Sequence, residues 1–197
     1  MSSRLPAARR REQLLEVALH VFAARGFHQT SMNDVAEAAG VTKPVLYQHF
    51  TSKRALYLEL LELVSLRLMA AIDEATSAAA GPREQVVRGL RAYFRFVVDS
   101  PDEYQLMFGG GTRRDAEFAQ EAARLERSIA EVIADLITVD GLAEHERVLL
   151  AHGIVGLAEG ATRHWLGDEL DLDADEITDR VADLAWRGLR GIRSEPR

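Results

Sequence analysis

Apolar residues recur at intervals of three and four along almost the whole chain, which is the spacing of one face of an α-helix. Leu, Ala, Glu and Arg dominate, only five prolines interrupt the pattern, and no β-branched run indicates a strand. We therefore expect an all-α fold of about nine helices. The predicted helices cover about residues 9–25, 32–39, 43–50, 52–75, 82–100, 101–108, 115–137, 143–166 and 174–192.

Two of the longer helices carry apolar stripes that we expect to be buried. The stripes are Leu56, Leu60, Leu63, Leu66 and Met69 on the fourth helix, and Ile177, Val181, Leu184, Gly188 and Ile192 on the last. The fourth helix should span on the order of 35 Å, because an α-helix rises about 1.5 Å per residue.

Two short helices follow the first one closely, and their ends carry clear signals. Ser31 is positioned as an N-cap, and Asp34 three residues later completes a pair that resembles a capping box. Gly40 ends the first short helix, because a residue without a Cβ readily takes the left-handed C-cap conformation. Thr42 caps the second, and Pro44 lies in its first turn, where a missing N–H costs nothing. The pattern predicts a helix-turn-helix.

The second short helix carries apolar and aromatic residues on faces that do not point to the core. Leu46 and Phe50 are four residues apart and point to the same side. The other faces carry Pro44, Val45, Tyr47 and Gln48. In helix-turn-helix proteins this helix lies in the major groove of DNA, and its N-terminal residues reach base edges. Binding to DNA would therefore explain why such residues are exposed.

The run VTKPVLYQHFTSKRAL at residues 41–56 resembles the DNA-binding signature of the tetracycline-repressor (TetR/AcrR) family. That signature has a Tyr, then a His or Tyr, an aromatic residue, and a Lys three residues later. The resemblance covers roughly the first 60 residues, and the rest is similar to the family in being helical and of suitable length. It implies a three-helix DNA-binding domain over residues 1–51 and a helical domain for effector binding and dimerisation over residues 52–197.

The resemblance also implies roles for single residues. It predicts that Tyr47, His49 and Lys53 contact phosphates, and that Lys43, Pro44 and Val45 face bases. Ser31 and Thr42 stand at helix N-termini, where backbone N–H groups and the helix dipole favour an anion such as phosphate. The alternative for Tyr47 and His49 is that they only cover the core of the domain.

The chemistry of individual side chains adds candidate base contacts. The amide of Gln48 suits a base edge, Val45 suits the methyl group of thymine, and Lys43 suits guanine. Asn33, on the first short helix, is a further candidate, for adenine. These ten residues form the predicted DNA-binding set.

The charge distribution agrees with a DNA-binding N-terminal end. The whole chain carries −7, yet residues 1–55 hold eight basic and four acidic side chains, so the remainder carries −11. A basic end on an acidic body suits a protein that contacts phosphates at one end only. The alternative is that the basic residues cluster there by chance. Arg4 and residues 9–11 form a basic arm for phosphate or the minor groove, or else a solvated tail.

Other classes of protein find little support. The absence of cysteine excludes disulfides, thiolate catalysis and cysteine-ligated zinc. The glycine run at residues 109–111 lacks the spacing of a phosphate-binding loop, and no motif of an enzyme active site is present. We expect no catalysis, no cofactor and no metal. Since no signal peptide or membrane-spanning stretch is present, we expect a cytoplasmic protein without membrane contact.

Candidates for an effector pocket lie in the C-terminal part, because ligand sites are mostly apolar with a few placed polar groups. The candidate residues are Tyr93, Phe96, Tyr104, Met107 and Phe108, with His152, Glu159 and Arg163 as the polar contacts. The alternative is that the aromatic residues are ordinary core and that the polar residues form ion pairs at an interface.

The eighth helix contains Gly153, Gly156 and Gly160, and each costs roughly 1 kcal/mol of stability relative to alanine. That cost is understandable if another backbone comes close. In TetR-like proteins the last two long helices pair with their copies, and the resemblance implies a homodimer here. The alternative is packing within one protomer.

These observations predict a ligand-responsive transcriptional regulator, most simply a repressor that binds a palindromic operator as a dimer. A small-molecule effector would move the fourth helix and so release the double-stranded DNA. The alternative is a helical interaction module of the same fold without operator binding.

Overall fold

The computed structural model describes residues 7–109, 118–137 and 141–192. Within these residues the chain forms nine α-helices and no strand, which confirms the predicted all-α fold. The helices are α1 (Ala7–Gln29), α2 (Met32–Ala38), α3 (Lys43–His49), α4 (Lys53–Ser77), α5 (Pro82–Asp99), α6 (Pro101–Phe108), α7 (Ala119–Leu136), α8 (Glu144–Gly167) and α9 (Ala174–Leu189). The arm residue Arg4 and the predicted start of α7 at residue 115 lie outside the described part.

The chain divides into two compact units. The first consists of Met1–Ser65 and Pro101–Ala123, and the second of Leu66–Ser100 and Arg124–Arg197. Helix α4 therefore contributes its first half to one unit and its second half to the other, and α6 groups with the N-terminal helices. The predicted domain boundary after residue 51 concerns independent folding, which packing alone does not measure, and it stays a prediction.

The core of the first unit is built around α1. Leu14, Ala18 and Phe22 on α1 are buried, and α1 packs mainly against α6 and α2. Gly26 interrupts α1 with φ 76°, ψ 167°, and one further turn follows before the helix ends. The predicted stop at Gly26 is thus a break within the helix, since a positive φ is a conformation that glycine adopts without strain.

The second unit is organised by α5 and α9, which pack along much of their lengths. Phe94 is fully buried and its ring lies 6.1 Å from that of Trp165 on α8. The indole N–H of Trp165 donates to the carbonyl oxygen of Leu172 at 2.9 Å, which fixes the connection between α8 and α9. Arg91 on α5 donates to Asp175 on α9 at 3.0 Å. The two helices therefore share a buried apolar face and an ion pair at its edge.

The predicted stripe on α4 is wrong beyond Leu60, and Leu66 is 55% exposed. Steps of three residues from Leu60 to Leu63 and onward each turn the helix face by about 60°, so the stripe drifts away from the core. The buried apolar residues of α4, which include the predicted Leu56 and Leu60, follow mixed steps of three and four. They are Leu56, Tyr57, Leu60, Leu61, Val64, Leu68 and Ile72.

The predicted stripe on α9 is partly wrong because its centre is misplaced, although its mixed steps of three and four do not drift around the helix. Ile177 and Val181 are buried as expected, but the buried face continues through Ala182 and Ala185, whereas Leu184 is 61% exposed. The face is therefore rotated away from Leu184. Among the described residues, no helix is long and apolar enough to cross a bilayer.

Candidate nucleic-acid interface

The start of α2 is held by the predicted capping box. The backbone N–H of Asp34 donates to Ser31 Oγ at 3.2 Å, and the backbone N–H of Ser31 donates to Asp34 Oδ2 at 2.7 Å. The hydroxyl and backbone N–H of Ser31, and then the guanidinium of Arg25 at 3.4 Å, hold the pKa of Asp34 below its usual 3.8. Two donors that a helix start leaves without partners are satisfied here, so the entry into α2 is well defined.

The turn between α2 and α3 is a Schellman motif. Gly40 has φ +64°, its N–H donates to Glu37 O at 3.0 Å, and the N–H of Val41 donates to Ala36 O at 2.9 Å. These are the two bonds that define the motif, with Gly40 in the left-handed position. The predicted role of Gly40 is confirmed by this geometry.

Thr42 is the N-cap of α3 by backbone conformation, as predicted, but within the described residues its hydroxyl makes no capping hydrogen bond. Its carbonyl oxygen instead accepts the N–H groups of Val45 at 2.9 Å and Leu46 at 3.3 Å. Pro44 occupies the first turn as predicted. The exposed hydroxyl of Thr42 is therefore not committed to holding the helix start.

Helix α3 has one buried face and one exposed face. Leu46 and Phe50 are buried, whereas Tyr47 is 44% exposed. Lys43, Pro44 and Gln48 are also exposed, and Val45 and His49 are half-buried. The ammonium of Lys43 lies 6.0 Å from the centre of the Tyr47 ring, one turn along the helix. The alternative in which Tyr47 merely covers the core does not fit this exposure.

His49 and the two candidates at α2 are placed differently from one another. The His49 ring lies 6.3 Å from that of Phe50, so it partly covers the core while one side remains open. Ser31 and Asn33 are exposed at the start of α2. In the predicted arm, Arg11 is half-buried, pairs with Glu59 and lies over the Phe50 ring at 5.0 Å. Arg11 therefore has a structural role that its position in a basic run did not indicate.

Lys53 is held by the protein's own backbone. Its Nζ donates to the carbonyl oxygens of Phe27 and Thr30, both at 2.9 Å. The same atom lies 4.0 Å from the centre of the Phe27 ring. The sequence motif predicted a phosphate contact for Lys53, and no local pattern indicated these carbonyl partners, because they lie 23 and 26 residues earlier.

The effector candidates are divided between the two units. Tyr104, Met107 and Phe108 belong to the first unit, where Tyr104 and Met107 are buried and the Tyr104 and Phe108 rings lie 5.4 Å apart. Tyr93, Phe96, His152, Glu159 and Arg163 belong to the second unit.

Within the second unit a polar group is buried between α5 and α8. The hydroxyl of Thr162, which sequence reasoning missed, lies 3.3 Å from the Tyr93 hydroxyl and 2.9 Å from the Ala158 carbonyl oxygen. Glu159 is also buried, and the Arg163 guanidinium lies 3.7 Å from its carboxylate. A threonine in an apolar helical run was the available signal for this group.

His152 does not join that buried group. It is half-buried, and its ring lies 4.0 Å from the Glu126 carboxylate on α7. Arg163 itself is exposed, with only its end turned to Glu159. His152, Glu159 and Arg163 lie within about 40° of one another on α8, because 7 and 11 residues are close to whole numbers of helical turns. Of the three only Glu159 is buried, and their role as the polar contacts of an effector stays a prediction. Among the described residues, no cluster of His, Asp and Glu could hold a metal ion.

Comparisons with known proteins agree with this geometry. Residues 14–60 match the family model described as bacterial regulatory proteins, tetR family, and residues 82–188 match the tetracyclin repressor-like C-terminal domain. The HTH-type transcriptional activator FasR of Mycolicibacterium smegmatis is 33% identical over 191 residues, which are 96% of this chain and 87% of that protein.

Solved structures give the same result. A TetR-like transcriptional regulator from Rhodococcus sp. RHA1 is 31% identical, with a TM-score of 0.78 over 96% of this chain and 100% of that one. The regulator FadR from Bacillus subtilis, solved in complex with stearoyl-CoA, has a TM-score of 0.77 over 92% of this chain and 99% of that one at 17% identity, and so shows the fold alone. The chain belongs to the TetR family, and it is a DNA-binding transcriptional regulator.

Proposed function

We propose that this protein binds a palindromic operator as a homodimer and that a small-molecule effector, bound in the second unit, releases it. The observation that carries the proposal is the exposed face of α3, held in place by the capped α2 and the Schellman turn. A short helix that exposes Tyr47 while burying Leu46 has the arrangement of a recognition helix.

The proposed DNA contacts follow from position and chemistry. Tyr47 and His49 reach phosphates, together with the N-terminal residues Ser31 and Thr42, where the helix dipole favours anions. The N-terminal turn of α3 contacts bases, and so does Gln48 further along the same helix. Asn33 on α2 adds a further base contact. The base-reading residues of that first turn are Lys43, Pro44 and Val45.

We place the dimer interface on α8 and α9, the last two long helices. Leu149 is 70% exposed on α8, and Gly153, Gly156 and Gly160 continue the same face at helical spacing. A Cβ placed at Gly153 or Gly156 would meet no other atom of the described residues within 4 Å. Packing within the described protomer therefore does not require glycine at Gly153 or Gly156. A second copy whose backbone lies close to this face would require it.

The effector site is proposed for the second unit, around the buried hydroxyls of Tyr93 and Thr162 and the carboxylate of Glu159. Phe96 supplies apolar surface, and His152 and Arg163 are candidates at the rim. Tyr104, Met107 and Phe108 belong to the first unit and stay predictions from the sequence. Buried polar groups in an apolar setting suit an effector with a hydrophobic body and a hydrogen-bonding group.

We propose that the protein acts in the cytoplasm, where its DNA is, and that the bound dimer represses transcription. Activation is the second candidate, because the relative from Mycolicibacterium smegmatis is named an activator. A transcriptional reporter placed behind the operator separates the two, since deletion of the regulator raises expression under repression and lowers it under activation.

The proposal is tested by selecting fragments of the source genome with purified protein and measuring affinity for the enriched site. We expect an enriched palindrome whose affinity falls steeply as salt rises, because the net positive charge of residues 1–55 displaces counterions from the DNA. A panel of effectors that includes stearoyl-CoA and shorter acyl thioesters is then added to the complex. A folded dimer that enriches no sequence would refute operator binding, and enrichment without release by any effector would refute only the ligand response.

A further inference from the structure

Lys53 opens α4, and its side chain turns back to the segment that joins α1 to α2. Both carbonyl oxygens that it contacts lie in that segment, Phe27 in the last turn of α1 and Thr30 directly before the N-cap Ser31. Thr30 is buried, with 2% of its surface exposed. One ammonium group therefore connects the start of α4 to the residue that precedes the helix-turn-helix.

The break in α1 explains why a cation is needed at this place. Gly26 leaves the helical conformation, and at the end of the following turn Phe27 O accepts the N–H of Thr30 at 3.3 Å instead of an N–H four residues on. The C-terminal end of a helix also carries partial negative charge, which favours a cation. Lys53 donates two of its three N–H groups to Phe27 O in this turn and to Thr30 O directly after the helix.

The aromatic surroundings hold the ammonium in this position. Nζ lies 4.0 Å from the centre of the Phe27 ring, a distance at which cation–π attraction is strong. Phe27 in turn contacts the ring of Tyr57, one turn further along α4, at 5.1 Å, and that of Phe118 at 4.5 Å. Lys43 differs, since its ammonium is on the exposed face of α3 and lies 6.0 Å from the nearest ring described for it.

We propose that Lys53 is a positioning residue for DNA binding rather than a phosphate contact: it fixes α2 and α3 relative to α4. The inference rests on the proposed operator binding. Without the lysine, the helix-turn-helix would have to be ordered at the moment of binding, and that cost lowers affinity. Because the ordering step releases no counterions, the loss is the same at every salt concentration, which a phosphate contact would not give.

The test compares Lys53→Met with Lys43→Met on the enriched operator duplex between 50 and 200 mM salt, well below the unfolding temperature. Methionine keeps the apolar stem of lysine and removes the charge. For Lys53→Met we expect affinity to fall about 10-fold or more, with an unchanged slope of log affinity against log salt, and Tm to fall by about 4 °C. For Lys43→Met, whose side chain is proposed to read a base, we expect lower affinity, relaxed base specificity and an unchanged Tm.

Three results overturn the proposal. A slope reduced by about 1.8 per dimer, or roughly 0.9 per protomer, would identify Lys53 as a phosphate contact. A lower Tm with unchanged affinity would show that the lysine supports the fold without placing α3, and unchanged values of both would show that it does neither. Failure of the wild-type protein to bind any enriched duplex would instead refute the proposed function.

A second variant covers the case in which Lys53→Met does not fold. Phe27→Leu removes the ring under the ammonium and keeps every charge, so it should lower affinity without changing the salt slope. Where both single variants fold, the double variant should lose less affinity than the sum of the two, because each removes part of the same contact. Unchanged affinity of Phe27→Leu contradicts the proposed role.

Discussion

Replacing Gly153 and Gly156 by alanine should stabilise each protomer and at the same time weaken the dimer. Both residues lie inside α8, neither has a positive φ, and an added Cβ would meet nothing within 4 Å among the described residues. Alanine is therefore sterically acceptable in the protomer and is the better helix former. The two effects have opposite signs only if a second chain covers this face.

The expected magnitudes follow from the geometry. Each Gly→Ala change in a helix interior contributes roughly 1 kcal/mol, so the double variant should gain about 2 kcal/mol of protomer stability. In a two-fold interface the same change adds four methyl groups between closely spaced backbones. Overpacking costs about 1–3 kcal/mol per site, so four sites cost at least about 4 kcal/mol, and we expect the dimer dissociation constant to rise about 1000-fold or more.

Sedimentation equilibrium measures the dissociation constant, and urea unfolding at protein concentrations below it measures protomer stability. Leu149→Ser, on the same face, should also weaken the dimer, whereas Val98→Ser, an exposed apolar residue on α5, should not. If the double variant gains stability while its dissociation constant stays at the wild-type value, the glycine face of α8 is not the interface and the reasoning fails.

Two further predictions concern the helix-turn-helix itself. Hydrogen bonds from Ser31 lower the pKa of Asp34, so the stability that the capping box contributes is present above the usual value of 3.8 and is lost as pH falls through the lower folded value. The Tm difference between wild type and Asp34→Asn should therefore be largest above about pH 5 and should vanish in acid. A difference that persists at about pH 2 would contradict the assignment. Leu46 is fully buried, so Leu46→Ala should cost about 3 kcal/mol in urea unfolding, whereas the exposed Gln48→Ala should stay within about 0.5 kcal/mol and still lower operator affinity. Equal stability losses in these two variants would mean that the faces of α3 are assigned wrongly.

Most helices of the fold could be predicted from signals that act over a few residues. The capping pair Ser31 and Asp34, the left-handed Gly40 and the apolar spacing of Leu46 and Phe50 act over a few residues, so a reader of the sequence can place α2 and α3 without tertiary information. The assignment of buried faces on long helices failed at Leu66, because small errors of phase accumulate when residues are followed in steps of three.

Contacts between residues that are far apart in the chain could not be predicted from the sequence. The carbonyl partners of Lys53 and the ion pair that occupies Arg11 depend on how α1 meets α4, and no periodic pattern encodes that meeting. Thr162 was missed because its hydroxyl counts as a neutral position in a helical run, although Tyr93 meets it across α5 and α8. The sequence thus identified the charged residues of the motif, but it did not identify the groups that they contact.

The measurement that tests the account most directly is the salt-dependent affinity of three proteins for the enriched operator: wild type, Tyr47→Ala, and Val98→Ala as an exposed control on α5. The account predicts steep salt dependence for wild type and the control, loss of binding for Tyr47→Ala, and an unchanged dimer in all three. Wild-type affinity in Tyr47→Ala would contradict the claim that the exposed face of α3 is the surface that binds DNA.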